Sequence, residues 1–119
     1  MEAERDLKAL QARLERFRDE REWARFHSPG NLAKAINVEA AELLEIFLWT
    51  NGREEEGRVL EERRAAVESE LADVLIHSLN FASATGIDLV AAAERKVKAN
   101  EERYPVAKAR GSARKYTEL

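Results

Sequence analysis

The segments VEAAELLEIFLW, residues 38–49, and ELADVLI, residues 70–76, carry the pattern that decides the fold of this chain. Each segment places two carboxylates three residues apart: Glu39 and Glu42 in the first, Glu70 and Asp73 in the second. Residues three apart share one face of an α-helix, so each pair points in one direction. Almost all other residues of the two segments are apolar. The pattern therefore predicts two helices that direct acidic side chains into a core.

Carboxylates directed inward need a compensating positive charge, because an ionised group loses its hydration on burial. A hard divalent cation with oxygen ligands would compensate them. We therefore predict a Mg²⁺ site formed by Glu39, Glu42, Glu70 and Asp73. A solvent-exposed polar stripe is the alternative for either helix alone. A di-iron site would need two Glu-x-x-His motifs, and the sequence has none.

The composition limits the classes of protein to consider. The chain has 119 residues, of which 36% are charged, with a net charge of −3 and no cysteine. These values favour one domain and exclude thiol catalysis and disulfides, and they are not typical of nucleic-acid binders. The first residues lack a signal-peptide pattern, and the longest uncharged run is too short to span a bilayer. We predict a cytoplasmic protein without nucleic-acid or membrane partners.

Periodicity and capping residues predict an all-α domain, a bundle of four helices within residues 1–105, followed by a basic tail at residues 106–119. Ser28-Pro29 is a typical helix start, and Asp88 can cap the last helix. The predicted helices cover about residues 2–24, 29–50, 60–85 and 89–104, with an exposed charged loop at 53–58.

Two tryptophans and a histidine are candidates for binding a flat ligand. Trp23 and His27 fall in the polar junction REWARFHSP, residues 21–29, and Trp49 ends the acidic segment. Core packing is the alternative for both tryptophans. In the functional interpretation, Trp23 and His27 stack on a flat ligand and form hydrogen bonds with it.

Basic and polar residues late in the chain are candidates for phosphate binding. Their spacing places them on roughly one side of the last helix: Lys96, Asn100, Arg103 and Tyr104. Such groups can donate hydrogen bonds to phosphate oxygens. A solvated helix face is the alternative.

Together these residues resemble the MazG-like all-α nucleoside triphosphate pyrophosphohydrolases, and within them the dCTP pyrophosphatase subgroup. The matching segments are REWARFHSPGNL (21–32), EAAELLEIFLW (39–49), ELADVLI (70–76), NEERYP (100–105) and ARKYTEL (113–119). His77 stands where the subgroup more often has tyrosine, which affects the sugar and base contacts expected from this helix.

The resemblance implies a role for each group of residues. Glu39, Glu42, Glu70 and Asp73 would bind the Mg²⁺ that carries the triphosphate, and Trp23, His27 and Trp49 would enclose the base. Lys96, Asn100, Arg103 and Tyr104 would help to hold base or phosphates. The resemblance also implies a homo-tetramer arranged as a pair of dimers.

The chain is therefore expected to be a Mg²⁺-dependent pyrophosphohydrolase that converts a dNTP, dCTP or a modified relative, to the monophosphate and pyrophosphate. Glu42 or Glu45 would act as general base. The family implies a role in nucleotide-pool sanitation. One alternative is a phosphoribosyl-ATP pyrophosphohydrolase-like enzyme, against which the Trp23/His27 segment argues. The other is a non-enzymatic helical interaction module, which would leave the acidic stripes unexplained.

Overall fold

The structure is a computed structural model that describes residues 6–119. These residues form helices and turns without a strand, which confirms the all-α prediction. The helices are α1 (Leu7–Glu20), α2 (Pro29–Ile46), α3 (Gly52–Glu62), α4 (Arg64–Thr85), α5 (Leu89–Arg103) and α6 (Val106–Ala109), with 3-10 turns at Ala24–Phe26 and Tyr116–Glu118. The chain divides into two compact units, residues 1–86 and 87–119. The predicted domain boundary at residue 105 stays a prediction.

Three predicted helix ends are confirmed. The Asn31 N–H donates to Ser28 Oγ at 3.2 Å at the start of α2, and the Ala91 N–H donates to Asp88 Oδ1 at 3.1 Å at the start of α5. These bonds satisfy backbone donors that have no partner within the helix. Gly86 ends α4 with a φ of 73°, a left-handed conformation that glycine adopts without steric cost.

The first two helices end earlier than predicted. The predicted start of the first helix at residue 2 lies outside the described residues, and α1 ends at Glu20 because Glu22 has a φ of 53°. A residue in that conformation cannot continue a right-handed helix. Helix α2 ends at Ile46, and the hydroxyl of Thr50 donates to the Phe47 carbonyl at 2.7 Å in the turn that follows.

The predicted loop at residues 53–58 is wrong, since these residues belong to α3. Glu54 and Glu55 lie in the first turn of α3, where their negative charges interact favourably with the positive end of the helix dipole. The Asn51 N–H also donates to the Glu55 carboxylate at 2.5 Å. The predicted third helix, 60–85, is accordingly two helices that meet at Arg63. The charged run was mistaken for a loop because Glu and Arg are also good helix formers.

The core of the first unit lies between α2 and α4, with α1 packed on α4. Leu32 of α2 and Leu79 and Ala82 of α4 are buried, and Gln11 of α1 donates to the Ser83 hydroxyl at 2.8 Å. Among residues 6–119 no single helix is long and apolar enough to cross a membrane, and only α4 and α5 counted together reach that length and composition.

Several apolar neighbours of the acidic pairs lie at the surface of the single chain, which corrects the prediction that they form a core. These are Val38, Leu44, Leu48, Leu71 and Leu75, each between 39% and 62% exposed. Helices α2 and α4 are apolar on more than one side, and a single short chain has too few other helices to cover all of this apolar surface. We call this set the exposed apolar face.

Candidate active site

Three of the predicted metal ligands converge between α2 and α4. Glu39 comes from α2, and Glu70 and Asp73 come from adjacent turns of α4. One carboxylate oxygen of each residue lies within 4.8 Å of the other two. The packing of α2 on α4 brings the two acidic stripes face to face, as the spacing of three predicts. We call Glu39, Glu70 and Asp73 the carboxylate cluster.

Mutual proximity changes how these acids ionise. The neighbouring carboxylate of Glu39 and then that of Glu42, together with burial, raise the pKa of Glu70 to about 7. The interaction with Glu70 acts to lower the pKa of Glu39, but burial and the carboxylates of Glu42 and Asp73 outweigh it, and the pKa is raised. Without a cation, Glu39 and Glu70 therefore hold their protons more tightly than ordinary glutamates do.

The cluster has the donor set and spacing that a divalent cation needs. Mg²⁺ and Ca²⁺ bind oxygen ligands at about 2.0–2.6 Å, so opposed ligands lie about 4–5 Å apart. The Oε2 atoms of Glu39 and Glu70 are also buried and have no hydrogen-bond partner among residues 6–119. Buried carboxylate oxygens without partners are costly unless a cation is bound. A metal ion could thus be held by the carboxylate cluster.

The other predicted acids lie beside the cluster. Glu42 and Glu45 are exposed on α2, and both line a cavity of about 460 Å³ that Glu70 also borders. Trp49 and Arg63 complete its polar and aromatic lining. Sequence reasoning missed Arg63, since it lay in no helical stripe. We call this the acidic cavity. It places Glu42 and Glu45, the two candidates for the general base, next to the carboxylate cluster.

A second cavity of about 280 Å³ contains three of the predicted base-binding residues: Trp23, His27 and His77. Leu14, Phe17 and Ile76 provide its apolar walls, and Arg18 and Asn80 also line it. The rings of Trp23 and Phe17 meet edge to face, with centroids 5.7 Å apart. We call this cavity the Trp23 slot.

The prediction that Trp23 and Trp49 enclose one pocket is wrong for the single chain. Trp49 is 88% exposed and lines the acidic cavity, not the Trp23 slot. The reason is position, because Trp49 follows the end of α2 whereas Trp23 precedes its start. The length of α2 therefore separates the two tryptophans in the single chain.

The Trp23 slot has an uneven charge distribution. Burial, followed by the charges of Arg18 and His77, lowers the pKa of His27 and so disfavours its protonated form. The Nδ1 atoms of His27 and His77 are both buried and have no hydrogen-bond partner among the residues that the structure describes. Arg18 remains charged, since its hydrogen bond to Asp19 raises its pKa.

One side chain connects the slot to the carboxylate cluster. His77 lines the slot, and its Nε2 lies 3.8 Å from Oε1 of Glu39. The two are on facing helices, α4 and α2. A ligand that extends from the slot past His77 therefore reaches the carboxylates.

The predicted phosphate-binding residues belong to the second unit, and their role stays a prediction. Lys96, Asn100 and Arg103 are exposed on α5. Tyr104 follows the end of α5, and its ring packs edge to face on Tyr116 with centroids 5.9 Å apart. Arg103 lies over the same Tyr116 ring at 5.0 Å.

Sequence reasoning missed the slot residue Arg18. It placed Asn80 on one polar helix stripe with Glu70, Asp73 and His77, but assigned it no role in the site. Arg18 carried no such signal, because charged residues are frequent along α1. Only the packing of α1 on α4 places Arg18 beside the histidines.

This chain is similar to a known protein family and to individual known proteins. Residues 34–119 match the model of the MazG-like family. The chain is 42% identical over 115 residues to human dCTP pyrophosphatase 1 and 41% identical to the rat protein, covering 96% of this chain and 66% of each relative. It thus spans just under two thirds of the length of these curated relatives.

A solved structure, a pyrophosphatase from Archaeoglobus fulgidus, superimposes with a TM-score of 0.80 at 47% identity and covers 82% of this chain and 91% of its own. The fold likeness extends to a relative of similar length, and the match to dCTP pyrophosphatases confirms the predicted subgroup resemblance. On this evidence, the chain belongs to the MazG-like family.

Proposed function

We propose that the protein is a nucleoside triphosphate pyrophosphohydrolase that converts a dNTP, with dCTP or a modified dCTP as substrate, to the monophosphate and pyrophosphate. The observation that carries this proposal is the contact of His77 with Glu39, which joins a flat-ligand slot to a carboxylate cluster. A base in the slot would place its sugar at His77 and its phosphates at the carboxylates. The names of the similar proteins, dCTP pyrophosphatase and pyrophosphatase, agree with this chemistry.

Mg²⁺ is the proposed cofactor, held by Glu39, Glu70 and Asp73 with Glu42 next to them. Bound there, the ion would neutralise charge on the phosphate oxygens and lower the pKa of an attacking water. The carboxylate cluster would orient the triphosphate, because its oxygens are fixed on two packed helices. Glu42 and Glu45 line the adjoining acidic cavity, where either could accept the proton of the water. Arg63 lies in the same cavity and could donate hydrogen bonds to the departing pyrophosphate.

The proposed assembly is a homo-tetramer. The exposed apolar face, Val38, Leu44, Leu48, Leu71 and Leu75, together with the almost fully exposed Trp49, supports association. Large apolar side chains left exposed in such number are typical of a surface that is covered by another protein chain. An interface between copies would also bury Trp49 beside Glu42 and Glu45, so the acidic cavity would be completed on association.

Product analysis tests the proposed activity. The purified protein is incubated with Mg²⁺ and a panel of canonical and modified nucleoside triphosphates, while pyrophosphate and orthophosphate are measured separately. We expect pyrophosphate and monophosphate, and no orthophosphate. Glu70→Gln should abolish most of the turnover, whereas Glu68→Gln, an exposed residue of the same helix paired with Arg64, should retain it. Orthophosphate as the first product, or no product from any triphosphate, would contradict the proposal.

A further inference from the structure

Two polar residues of the Trp23 slot have no role in the function proposed above. Arg18 of α1 and Asn80 of α4 both line the slot. The Arg18 side chain is only 20% exposed, and its Nε donates to Asp19 Oδ1 at 2.8 Å. Neither the terminal nitrogens of Arg18 nor the Asn80 amide has a hydrogen-bond partner among residues 6–119. Half-buried polar groups without partners are available to a ligand.

The bond to Asp19 determines which part of the guanidinium is available. With Nε occupied, the free part is the end-on fork of the two terminal nitrogens. A guanidinium has no acceptor, and its fork donates two parallel hydrogen bonds to two adjacent acceptors. Burial and the charge of Arg18 lower the pKa of His27, which disfavours a second positive charge in the slot. Such a fork suits a flat ligand with two neighbouring acceptors on one edge.

Pyrimidine bases differ in this property. Cytosine presents O2 and N3 as adjacent acceptors, followed by the N4 amine as a donor. Uracil and thymine carry a hydrogen on N3, which would face the guanidinium as a second donor and leave both groups unpaired. An amide oxygen is an acceptor that suits the N4 amine.

We propose that Arg18 and Asn80 are specificity-determining residues that recognise the pairing edge of cytosine, with the Arg18 fork donating to O2 and N3 and the Asn80 oxygen accepting from N4. This inference rests on the proposed function, because it assumes that the base of a nucleoside triphosphate occupies the slot. The contact between His77 and Glu39 gives the direction of the bound nucleotide. The base edge then points away from the carboxylates, toward α1 and the end of α4.

Altered substrates test the inference on the native protein. In 3-deaza-dCTP a C–H replaces the N3 acceptor, and in dUTP N3 is a donor. A bidentate contact to a base edge discriminates by about tenfold or more. We therefore expect kcat/KM for dCTP to exceed that for either analogue by about tenfold. Affinities measured by tryptophan fluorescence, with Ca²⁺ in place of Mg²⁺, should show the same ratio.

Variants then assign the preference to the two side chains. Arg18→Lys keeps the charge but loses the fork, so the preference of dCTP over 3-deaza-dCTP should fall to within about twofold. Arg16→Lys, an exposed position on the same helix, should retain the full preference. Asn80→Leu should weaken dCTP binding but not binding of the 2-pyrimidinone nucleotide, which lacks the N4 amine.

The outcomes separate this inference from the function on which it rests. Pyrophosphate release from dCTP with equal use of 3-deaza-dCTP by the wild-type protein would overturn the inference and leave the activity established. An unchanged preference in Arg18→Lys would do the same. If no triphosphate yields pyrophosphate, both proposals fail.

Discussion

The unusual ionisation of Glu70 predicts a pH dependence of metal binding. The pKa of Glu70 is raised to about 7 by the neighbouring carboxylates of Glu39 and Glu42 and by burial. A cation binds the ionised carboxylate, so protons compete with Mg²⁺ over this pH range. An ordinary glutamate is ionised almost completely above pH 6 and would show no such competition.

The expected size of the effect follows from this pKa. At a pKa of about 7, about one Glu70 in eleven is ionised at pH 6 and about ten in eleven at pH 8. Mg²⁺ affinity should therefore fall about tenfold from pH 8 to pH 6, and binding at pH 7 should release about half a proton. Glu70→Gln, which cannot ionise, should bind Mg²⁺ weakly with no proton release from this position.

The same pKa predicts a stability change in the protein without metal. A raised folded-state pKa means that the folded protein binds the proton more tightly than the unfolded chain does. The contribution of Glu70 to stability is therefore full below its ordinary, unfolded-state pKa of 4.5 and declines as pH rises through the folded-state pKa of about 7. Glu70→Gln should remove this decline in chelator-treated protein.

Isothermal titration with Mg²⁺ at pH 6, 7 and 8, in two buffers of different ionisation enthalpy, measures both affinity and proton release. Urea denaturation with a chelator at pH 5 and pH 8 measures the stability change. Glu68→Gln is the matched control, since Glu68 lies on α4 and is 68% exposed in its pair with Arg64. Mg²⁺ affinity that is constant from pH 6 to pH 8 would refute the reasoning about the cluster.

The remaining predictions concern packing, assembly and the slot. Leu79→Ala should lower the free energy of unfolding by about 2–5 kcal/mol in urea denaturation, because Leu79 is 1% exposed; a loss no larger than that of the exposed Val97→Ala would contradict the core assignment. Replacing both Leu44 and Leu71 with glutamate should lower the mass seen by light scattering, if the exposed apolar face joins subunits; a wild-type monomer at micromolar concentration would exclude this assembly. Binding of dCTP with Ca²⁺ should quench the fluorescence of Trp23, and Trp23→Phe should abolish most of the change; an undiminished signal in that variant would place the base elsewhere.

Local signals were sufficient for most of the fold. The Ser28 and Asp88 caps and the Gly86 stop each act within one helical turn, so their effect is visible in a short segment of sequence. The helix at residues 52–62 was missed because its charged residues are equally typical of a loop and of a helix. The bond from the Asn51 N–H to the Glu55 carboxylate stabilises the start of the helix, and composition alone does not show this bond.

The carboxylate cluster was predictable to a similar degree. Glu39, Glu70 and Asp73 converge because a spacing of three fixes a helix face, and two apolar helices with matching acidic faces pack against each other. The sequence could not show whether Glu42 and Trp49 also join the three carboxylates. Glu42 and Trp49 line the adjoining acidic cavity, which Glu70 also borders, and several apolar residues near them remain at the surface of the single chain.

Residue types, helix periodicity and caps were thus already determined by the order of amino acids along the chain, because each depends on neighbours within a few positions. The composition of the Trp23 slot was not. Arg18 lies 59 positions before His77 and 62 before Asn80 in the sequence, and the packing of α1 on α4 alone brings them to one cavity. Such long-range contacts depend on how whole helices fit together, and that is decided only when the tertiary structure forms.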